Sequence, residues 1–254
     1  MNPAAETLAQ AEYVRQRIAP RPGDPDYLCL VDLLAAIRQM APANVGKILD
    51  FGCGGSPYRS LFPGAIYHRA DLAGGADLDF EFGDDSCLPS EIGGYDMIMS
   101  SQVLEHVTDP GAYFAECYRV LKPGGQLLLT THGTFWDHAC PHDYWRWTAY
   151  GLERALRNAG FEPTQVKKIT TNERATLFLS EKTFGRRPSH LTKFGALYAA
   201  STRLLHKMSA RTRHRMADAC FPENCVVDAD NGNPDNRHLI YIIVGALATK
   251  PLER

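Results

Sequence analysis

The sequence predicts a doubly wound α/β fold built on a mostly parallel sheet. Short apolar segments typical of buried strands alternate with helical segments from residue 45 onward. A cluster of glycines follows the first of these strands, where such a sheet places a ligand-binding turn. The chain has 254 residues, 44% hydrophobic and 22% charged, which suits one domain over residues 1–254 with a substantial core.

Two helices are predicted within residues 1–43, which we interpret as an N-terminal cap on the sheet. Apolar residues recur at helical spacing from Leu8 to Ile18, and a proline-rich turn follows. A second helix is predicted from Tyr27 to Met40, because its apolar residues form one face. We expect that face to cover an edge or end of the sheet.

The core of the fold is predicted to lie in residues 44–172. A helix is expected there from Gly151 to Ala159, because Thr148 suits an N-cap and Gly160 follows at the position where helices favour glycine. The strand candidates share short apolar runs bounded by turns or helices, and they are residues 45–51, 65–70, 95–100, 126–131 and 165–169.

A helical insertion or lid is predicted over residues 173–236, followed by a last strand within 237–250. Between Lys182 and Arg215 there are nine Lys or Arg residues and no acid, and apolar residues recur at helical spacing. Such an amphipathic helix suits a lid, an anionic substrate, a protein partner or a membrane surface. A solvated helix packed on the domain is favoured, and nucleic acid is not, because no interleaving of aromatic and basic residues supports it.

The composition argues for a cytoplasmic protein with reduced thiols. The seven cysteines form no CxxC pair and are odd in number. The N-terminus lacks the pattern of a signal peptide, and the apolar run 239–248 is too short for a transmembrane segment. The net charge of -2 provides no overall field for a charged partner.

The sharpest local signal runs from Ile48 to Phe62, where a strand enters a glycine cluster and then a predicted helix. Asp50 ends the strand, and Gly52 and Gly54 allow a tight turn beside a ligand. Unpaired N–H groups at the start of the helix would face that ligand. A turn of this kind can also simply connect a strand to a helix, so the segments that follow it matter.

Two acids follow the glycine turn, and the first of them, Asp71, ends the second strand candidate. Asp71 comes about twenty residues after the glycine turn, where a carboxylate can accept hydrogen bonds from ribose hydroxyls. Asp85 precedes a Leu-Pro pair. A nicotinamide dinucleotide is less favoured, because G-x-G-x-x-G would require glycine where Pro57 stands.

Four segments together resemble the class I S-adenosylmethionine-dependent methyltransferases: D-F-G-C-G at 50–54, L-P at 88–89, L-E-H-V at 104–107 and L-K-P-G-G at 121–125. The resemblance covers roughly residues 45–161. It implies a Rossmann-like sheet of seven strands, S-adenosylmethionine as cofactor, and a helix opening at 104–107. Ser56 stands where the family has its third glycine.

The resemblance also implies the cofactor-binding residues. Asp50, Gly52 and Gly54 would line the methionine part, Asp71 would bind the ribose, and Asp85 would approach the adenine amino group. The other residues expected at this site are Cys53, Leu72, Ser86, Ser101, Gln102 and His106.

The loop from Thr131 to Thr148 is predicted to bind the acceptor. Methyl transfer requires a base near the attacking atom. His132 is the first candidate because it directly follows a strand, and His142 with Asp143 is the second. These residues can also simply pack the loop. The predicted substrate-binding walls are aromatic: Trp136, Tyr144, Trp145 and Trp147.

A divalent metal is an alternative that is not favoured. His138, Cys140 and His142 alternate along one segment. Some methyltransferases bind a divalent ion through E-x-x-E-H and a later histidine, and Glu105, His106 and His132 match that pattern. Gln102 stands in place of its first glutamate and removes a charged ligand.

The predicted function is O-methylation of a small molecule or sugar hydroxyl, with a small-molecule or glycan acceptor. N- or C-methylation stays open, and a noncatalytic binding or scaffold module that kept the cofactor fold is the alternative from another class. The sequence leaves the oligomeric state open, a homodimer included.

Overall fold

One mixed sheet of eight strands runs through the protein, and a computed structural model describes it over residues 3–74, 77–138, 142–183, 207–229 and 234–252. Its order is β3-β2-β1-β4-β5-β8-β6-β7. The strands from β3 to β5 pair in parallel, and β8 is antiparallel to both neighbours. The strands are β1 Lys47–Phe51, β2 Ile66–Leu72, β3 Phe80–Phe82, β4 Tyr95–Ser101, β5 Leu121–His132, β6 Glu162–Thr171, β7 Val226–Asp228 and β8 Tyr241–Thr249.

The prediction of a mostly parallel doubly wound sheet is confirmed, but its count of seven strands is wrong. All six strand segments located from the sequence are present. The segments missed were β3 and β7, which have three residues each and lie at the two edges of the sheet. Three residues are too few to show a twofold alternation, so neither edge strand has a recognisable pattern.

Helices cover both faces of the sheet. Ile48 packs with the helices of one face and its neighbour Leu49 with those of the other, as expected for a strand buried on both sides. Helices α2, α5 and α6 supply the first face, and α3 and α4 the second. The helices are α1 Pro3–Ile18, α2 Tyr27–Met40, α3 Pro110–Val120, α4 Ala149–Asn158, α5 Asn172–Thr183 and α6 Ala210–Cys220.

Local capping explains where the helices begin. The Asp109 side chain accepts hydrogen bonds from the N–H groups of Gly111 and Ala112, and Pro110 occupies the first turn of α3. Thr148 caps α4 by accepting from Gly151 N, and Gly160 follows with φ of 91°. The predicted N-cap and terminal glycine of α4 are therefore confirmed.

Two helix starts expected beside the ligand edge are wrong. The glycine turn leads into a short 3-10 turn, Arg59–Leu61, and not into an α-helix. Pro57 and Pro63 leave too few residues between them for regular helix. A second 3-10 turn, Leu104–His106, precedes α3, which starts only at Pro110 where Asp109 provides the cap.

The predicted helical insertion, residues 173–236, contains α5, α6 and the unexpected strand β7 in its described parts. Residues 184–206, which carry most of the predicted basic helix, lie outside the described residues. In the described parts of the chain, no helix has the length and apolarity needed to cross a membrane.

A buried ion pair connects α2 to the start of α5. Arg174 donates from two nitrogens to Asp32, at 2.7 and 2.9 Å, and Thr170 donates its hydroxyl to the same carboxylate at 2.9 Å. Both charged side chains are almost fully buried. The pair joins α2 to α5, and the contact with Thr170 joins both to β6.

Candidate active site

Left-handed backbone marks the edge of the sheet where the parallel strands end. Gly52 and Gly54 follow β1 with φ of 78° and 47°. Four residues with side chains share this conformation at this edge, although it is uncommon outside glycine: Ser56 at 46°, Asp77 at 55°, Ser86 at 57° and Gln102 at 59°. Such backbone concentrates at ligand sites, where the surrounding structure holds it in place.

The glycine turn needs its glycines for close packing. A Cβ at Gly52 would lie 2.5 Å from Val103 Cγ2, and one at Gly55 would lie 1.9 Å from Gln10 Nε2. Helix α1 therefore rests directly on the turn. Ser56 replaces the expected third glycine, and its Oγ accepts a hydrogen bond from Arg69 Nε at 3.0 Å.

Asp71 lies against the same turn. Its carboxylate accepts from Gly54 N at 2.6 Å and from Leu72 N at 2.8 Å. The Cys53 thiol lies 3.8 Å from the same carboxylate, and burial raises the pKa of that thiol to about 12. Cys53 is therefore a neutral wall of the site and not a nucleophile, since the thiolate is the reactive form.

Asp50 is buried beneath the turn. Its carboxylate accepts from the Tyr67 hydroxyl at 2.7 Å. Burial raises its pKa to about 7, against the opposing effect of this hydrogen bond. Because so little of Asp50 is exposed, we interpret it mainly as a support for the turn above it.

The remaining predicted cofactor residues follow β3 and β4 on the same edge. Asp85 is exposed and accepts from Cys87 N at 3.1 Å, while Ser86 beside it is buried. Ser101 and Gln102 are held by Thr130 on β5, through hydroxyl and amide contacts of 3.0 and 3.2 Å. The structure thus brings Asp50, Asp71, Asp85 and the end of β4 to one edge.

A cavity of about 380 Å³ opens between α1 and the glycine turn. Small-molecule sites commonly occupy about 300–1,000 Å³. Gln10, Arg59 and Arg69, which were not predicted from the sequence, line this cavity together with the turn. Arg69 could have been predicted from the sequence, because it lies two residues before Asp71 and so its side chain faces the same side of β2.

The described parts of the predicted acceptor loop, residues 131–138 and 142–148, lie against the 3-10 turn at 104–106. The N–H groups of Tyr144 and Trp145 donate to Glu105 O at 2.8 and 3.2 Å. His106, predicted at the cofactor, hydrogen-bonds through Nδ1 to His142 O and therefore contacts this loop. Trp145 donates from its indole nitrogen to Val107 O at 2.8 Å.

His132 ends β5 and is 4% exposed. Its ring stacks on Phe135 with centroids 3.9 Å apart and an angle of 7°. Burial lowers its pKa to about 3, so the imidazole is neutral and only weakly basic at neutral pH. His132 Nδ1 lies 3.3 Å from Glu105 Oε1.

Glu105 is fully buried behind His132. Its Oε2 accepts from the Thr131 hydroxyl at 2.8 Å, and burial raises its pKa to about 7. Neither Glu105 Oε1 nor His132 Nδ1 has a hydrogen-bond partner among the described residues, although both atoms are buried. Such unsatisfied atoms are rare in proteins and need an explanation.

Asp143 does not support His142 as expected. Its carboxylate accepts two hydrogen bonds of 2.6 Å from Arg146 and also accepts from His138 Nδ1 at 3.2 Å. The Arg146 guanidinium holds the pKa of Asp143 well below its usual range. The His142–Asp143 pair is therefore replaced by a His138–Asp143 pair.

Each of the two metal arrangements considered from the sequence contributes to one cluster. His138 comes from the alternating segment and Glu105 and His132 from the E-x-x-E-H pattern, and their ligand atoms lie within 4.8 Å of one another. His106 uses Nδ1 to hold the loop, and Cys140 lies outside the described residues.

The four predicted aromatic walls separate into two pairs. Trp136 stacks on Phe135 at 3.9 Å, and Trp147 packs into the core with its indole nitrogen buried and unpaired among the described residues. Tyr144 and Trp145 are exposed, at 49% and 40%. Only the second pair presents broad surfaces to a ligand.

Comparison with known proteins identifies the family. A family model described as a methyltransferase domain matches residues 13–166, more than half of the chain. Ubiquinone biosynthesis O-methyltransferase of Dinoroseobacter shibae is 29% identical over 160 residues, covering 50% of this chain and 64% of that protein. The Pseudomonas aeruginosa protein of that name is 30% identical over 101 residues, 34% of this chain and 44% of that protein. The chain thus matches less than two thirds of the length of these relatives.

Solved structures share the fold. Phosphoethanolamine N-methyltransferase 2 of Haemonchus contortus, in complex with S-adenosylmethionine, has a TM-score of 0.52 and 18% identity over 97% of this chain and 57% of that one. The [4+2]-cyclase SpnF has a TM-score of 0.53 and 18% identity over 97% of this chain and 94% of that one. Different reactions therefore occur on this fold. With the family model matched over residues 13–166, the chain belongs to the methyltransferase-domain family and has the fold of the class I S-adenosylmethionine-dependent methyltransferases.

Proposed function

We propose that the protein transfers the methyl group of S-adenosylmethionine to an oxygen of a small molecule. The observation that carries this proposal is the contact between Asp71 and the glycine turn, with Asp85 and Gln102 on the same edge of the sheet. An acid at the end of β2 beside a glycine turn suits the ribose and the adjoining chain of a nucleoside cofactor.

On the cofactor side, S-adenosylmethionine supplies a methyl group bound to a positively charged sulfur. The Asp71 carboxylate would accept hydrogen bonds from the ribose hydroxyls, and the exposed Leu72 would lie against the adenine. Asp85 would accept from the adenine amino group. Gln102 and Ser101, fixed by Thr130, would face the methionine end.

On the acceptor side, the loop 132–148 supplies the surfaces and polar groups. Tyr144 and Trp145 would hold an apolar ring or the flat face of a sugar. His132 and Glu105 would act together on the acceptor hydroxyl, because His132 ends β5 and contacts Glu105 of the 3-10 turn after β4, beside the cofactor edge. The names of the relatives at 29–30% identity support oxygen as the methylated atom over nitrogen or carbon.

Titration calorimetry with S-adenosylmethionine tests the cofactor half. We expect saturable binding at one site, and we expect Asp71→Ala to weaken it by at least about 100-fold, because two hydrogen bonds to a charged group are lost, each of about 1.5–3 kcal/mol. Glu153→Ala is the matched control, since Glu153 is an acid on α4 paired only with Arg157 among the described residues.

Three results would contradict the proposal. Absence of binding to the folded wild-type protein would remove the cofactor and with it the reaction. Equal losses in Asp71→Ala and Glu153→Ala would show that the cofactor lies elsewhere. Binding without methylation of any phenol, catechol or sugar hydroxyl offered would favour a noncatalytic module.

A further inference from the structure

A cluster of two imidazoles and one carboxylate lies at the junction of β5, the 3-10 turn at 104–106 and the acceptor loop. Its members are Glu105, His132 and His138, and each offers one ligand atom within 4.8 Å of the others. We propose that these three residues bind a divalent transition cation, such as Zn²⁺ or Co²⁺, next to the acceptor.

The distances suit such an ion. Ligand atoms 2.0–2.1 Å from a tetrahedral cation lie roughly 3.3–3.4 Å apart. Glu105 Oε1 and His132 Nδ1 already have this spacing, at 3.3 Å. The His138 nitrogen would have to approach by at most roughly 1.5 Å to complete three ligands, and its side chain is 33% exposed and so has room to move.

The two nearest ligand atoms have no partner among the described residues except each other. Glu105 Oε1 and His132 Nδ1 are buried and lie 3.3 Å apart, but neither is in hydrogen-bond geometry with the other or with any other described residue. An unpaired buried carboxylate oxygen is costly, and a bound cation would compensate both atoms at once. This is the observation that separates the cluster from a chance grouping of polar residues.

A second layer of contacts orients the proposed ligands. Thr131 donates to Glu105 Oε2 at 2.8 Å and so leaves Oε1 directed at His132. Asp143 accepts from His138 Nδ1 at 3.2 Å, which leaves the other nitrogen of that ring for a metal, and Arg146 fixes Asp143 in turn. A carboxylate behind a histidine is the usual support of a metal ligand.

The ligand types select the class of cation. Two imidazoles favour zinc, cobalt, nickel or iron over magnesium and calcium, which prefer oxygen. Three protein ligands leave coordination positions open, as in catalytic sites. If the proposed function is correct, an open position would orient the acceptor oxygen, but cation binding itself requires neither the cofactor nor the acceptor.

The test uses the full chain, freed of metal with a chelator and then titrated with Co²⁺ while visible absorption is recorded. We expect about one equivalent to bind with the weak bands of nitrogen and oxygen ligands, and without the strong near-ultraviolet bands of thiolate ligands. Equilibrium dialysis with Zn²⁺ should give the same stoichiometry.

Matched variants locate the ion. Glu105→Gln and His138→Ala should each weaken Co²⁺ binding by at least tenfold, and Asp143→Asn by about tenfold or more through loss of its support. His142→Ala, an exposed histidine on the same loop, should bind as the wild type does. Far-UV circular dichroism and S-adenosylmethionine affinity should be unchanged in His138→Ala, which separates loss of the metal from loss of the fold.

Three results would overturn the proposal: binding of much less than one equivalent of either ion, thiolate bands in the Co²⁺ spectrum, or equal affinity in His138→Ala and the wild type. None of them affects the cofactor measurement with Asp71→Ala. The failure of this inference is therefore distinguishable from the failure of the proposed function.

Discussion

At the scale of single residues, the site depends on positions with left-handed backbone, and at one of them there is no room for a side chain. Gly52 has a positive φ, and a Cβ at this position would lie 2.5 Å from the side chain of Val103, which follows β4. Ser56 and Gln102 adopt left-handed backbone without being glycine. These three positions shape the edge where the cofactor is proposed to bind.

Replacement of Gly52 should therefore lower the stability of the protein by more than the backbone strain alone would. We expect Gly52→Ala to lower the free energy of unfolding by about 2–4 kcal/mol, from backbone strain and displacement of Val103, and to weaken S-adenosylmethionine binding. Chemical denaturation measures the first effect and calorimetry the second.

Gly64→Ala is the matched control for that change. Gly64 has a similar φ of 85° but no atom within 4 Å of its Cβ position. We expect it to lose only the conformational part, about 1 kcal/mol. Equal losses in the two variants would show that the contact with Val103 contributes nothing.

At the scale of elements, buried polar contacts fasten helices to the sheet. The Asp32–Arg174 pair joins α2, β6 and α5, and Arg174 also reaches Asp218 on α6 at 3.0 Å. The capping contacts at Asp109 and Thr148 set the starts of α3 and α4. The ion pair could not be predicted from the sequence. Of the two caps, the one at Thr148 was predicted.

Removal of only one residue of the ion pair should strongly destabilise the protein. We expect Asp32→Ala to reduce the free energy of unfolding by about 3–5 kcal/mol, because Arg174 would be left buried and unpaired by its main partner. The double variant Asp32→Leu with Arg174→Met should lose less, since no charge then stays buried. Urea unfolding of the three proteins decides this, and a double variant weaker than Asp32→Ala would contradict it.

At the scale of the whole molecule, the two edges of the sheet have different roles. The carboxyl edge holds the glycine turn, the acids and the cluster. The amino edge holds a structural contact in which Asp96 accepts from Lys122 Nζ at 2.6 Å and from Lys47 N at 2.7 Å. Asp96 thereby connects the starts of β1, β4 and β5.

This contact should make stability depend on acid pH. The hydrogen bond from Lys122 lowers the pKa of Asp96 in the folded protein. The stabilisation is therefore present above the ordinary Asp pKa of about 3.9 and is lost as pH falls through the lower folded value. Because both side chains are well exposed, we expect no more than about 1 kcal/mol.

Unfolding curves between about pH 2 and pH 6 measure this effect. The wild type should lose more unfolding free energy on acidification than Asp96→Asn, and the two should converge at the acid end. Parallel pH dependence in the two proteins would show that Asp96 does not contribute.

The cofactor edge could be largely predicted because parallel strands end on one side of their sheet. Asp50 and Asp71 lie near the ends of β1 and β2, so their common edge follows from topology, whereas Asp85 follows β3, which has no recognisable pattern in the sequence. The acceptor loop was harder to predict. Asp143 was paired with its sequence neighbour His142, whereas the path of the loop brings it to His138 and Arg146.

The sequence by itself determined the strands of the core, the helix starts at Thr148 and Tyr27, the glycine turn and the family. Each of these depends on local spacing, backbone preference or burial on two faces, which short segments encode. Only the tertiary structure decided that α1 rests on Gly55, that two short strands complete the sheet, and that Glu105, His132 and His138 converge. Contacts between distant segments depend on how loops pack, and no local pattern specifies that.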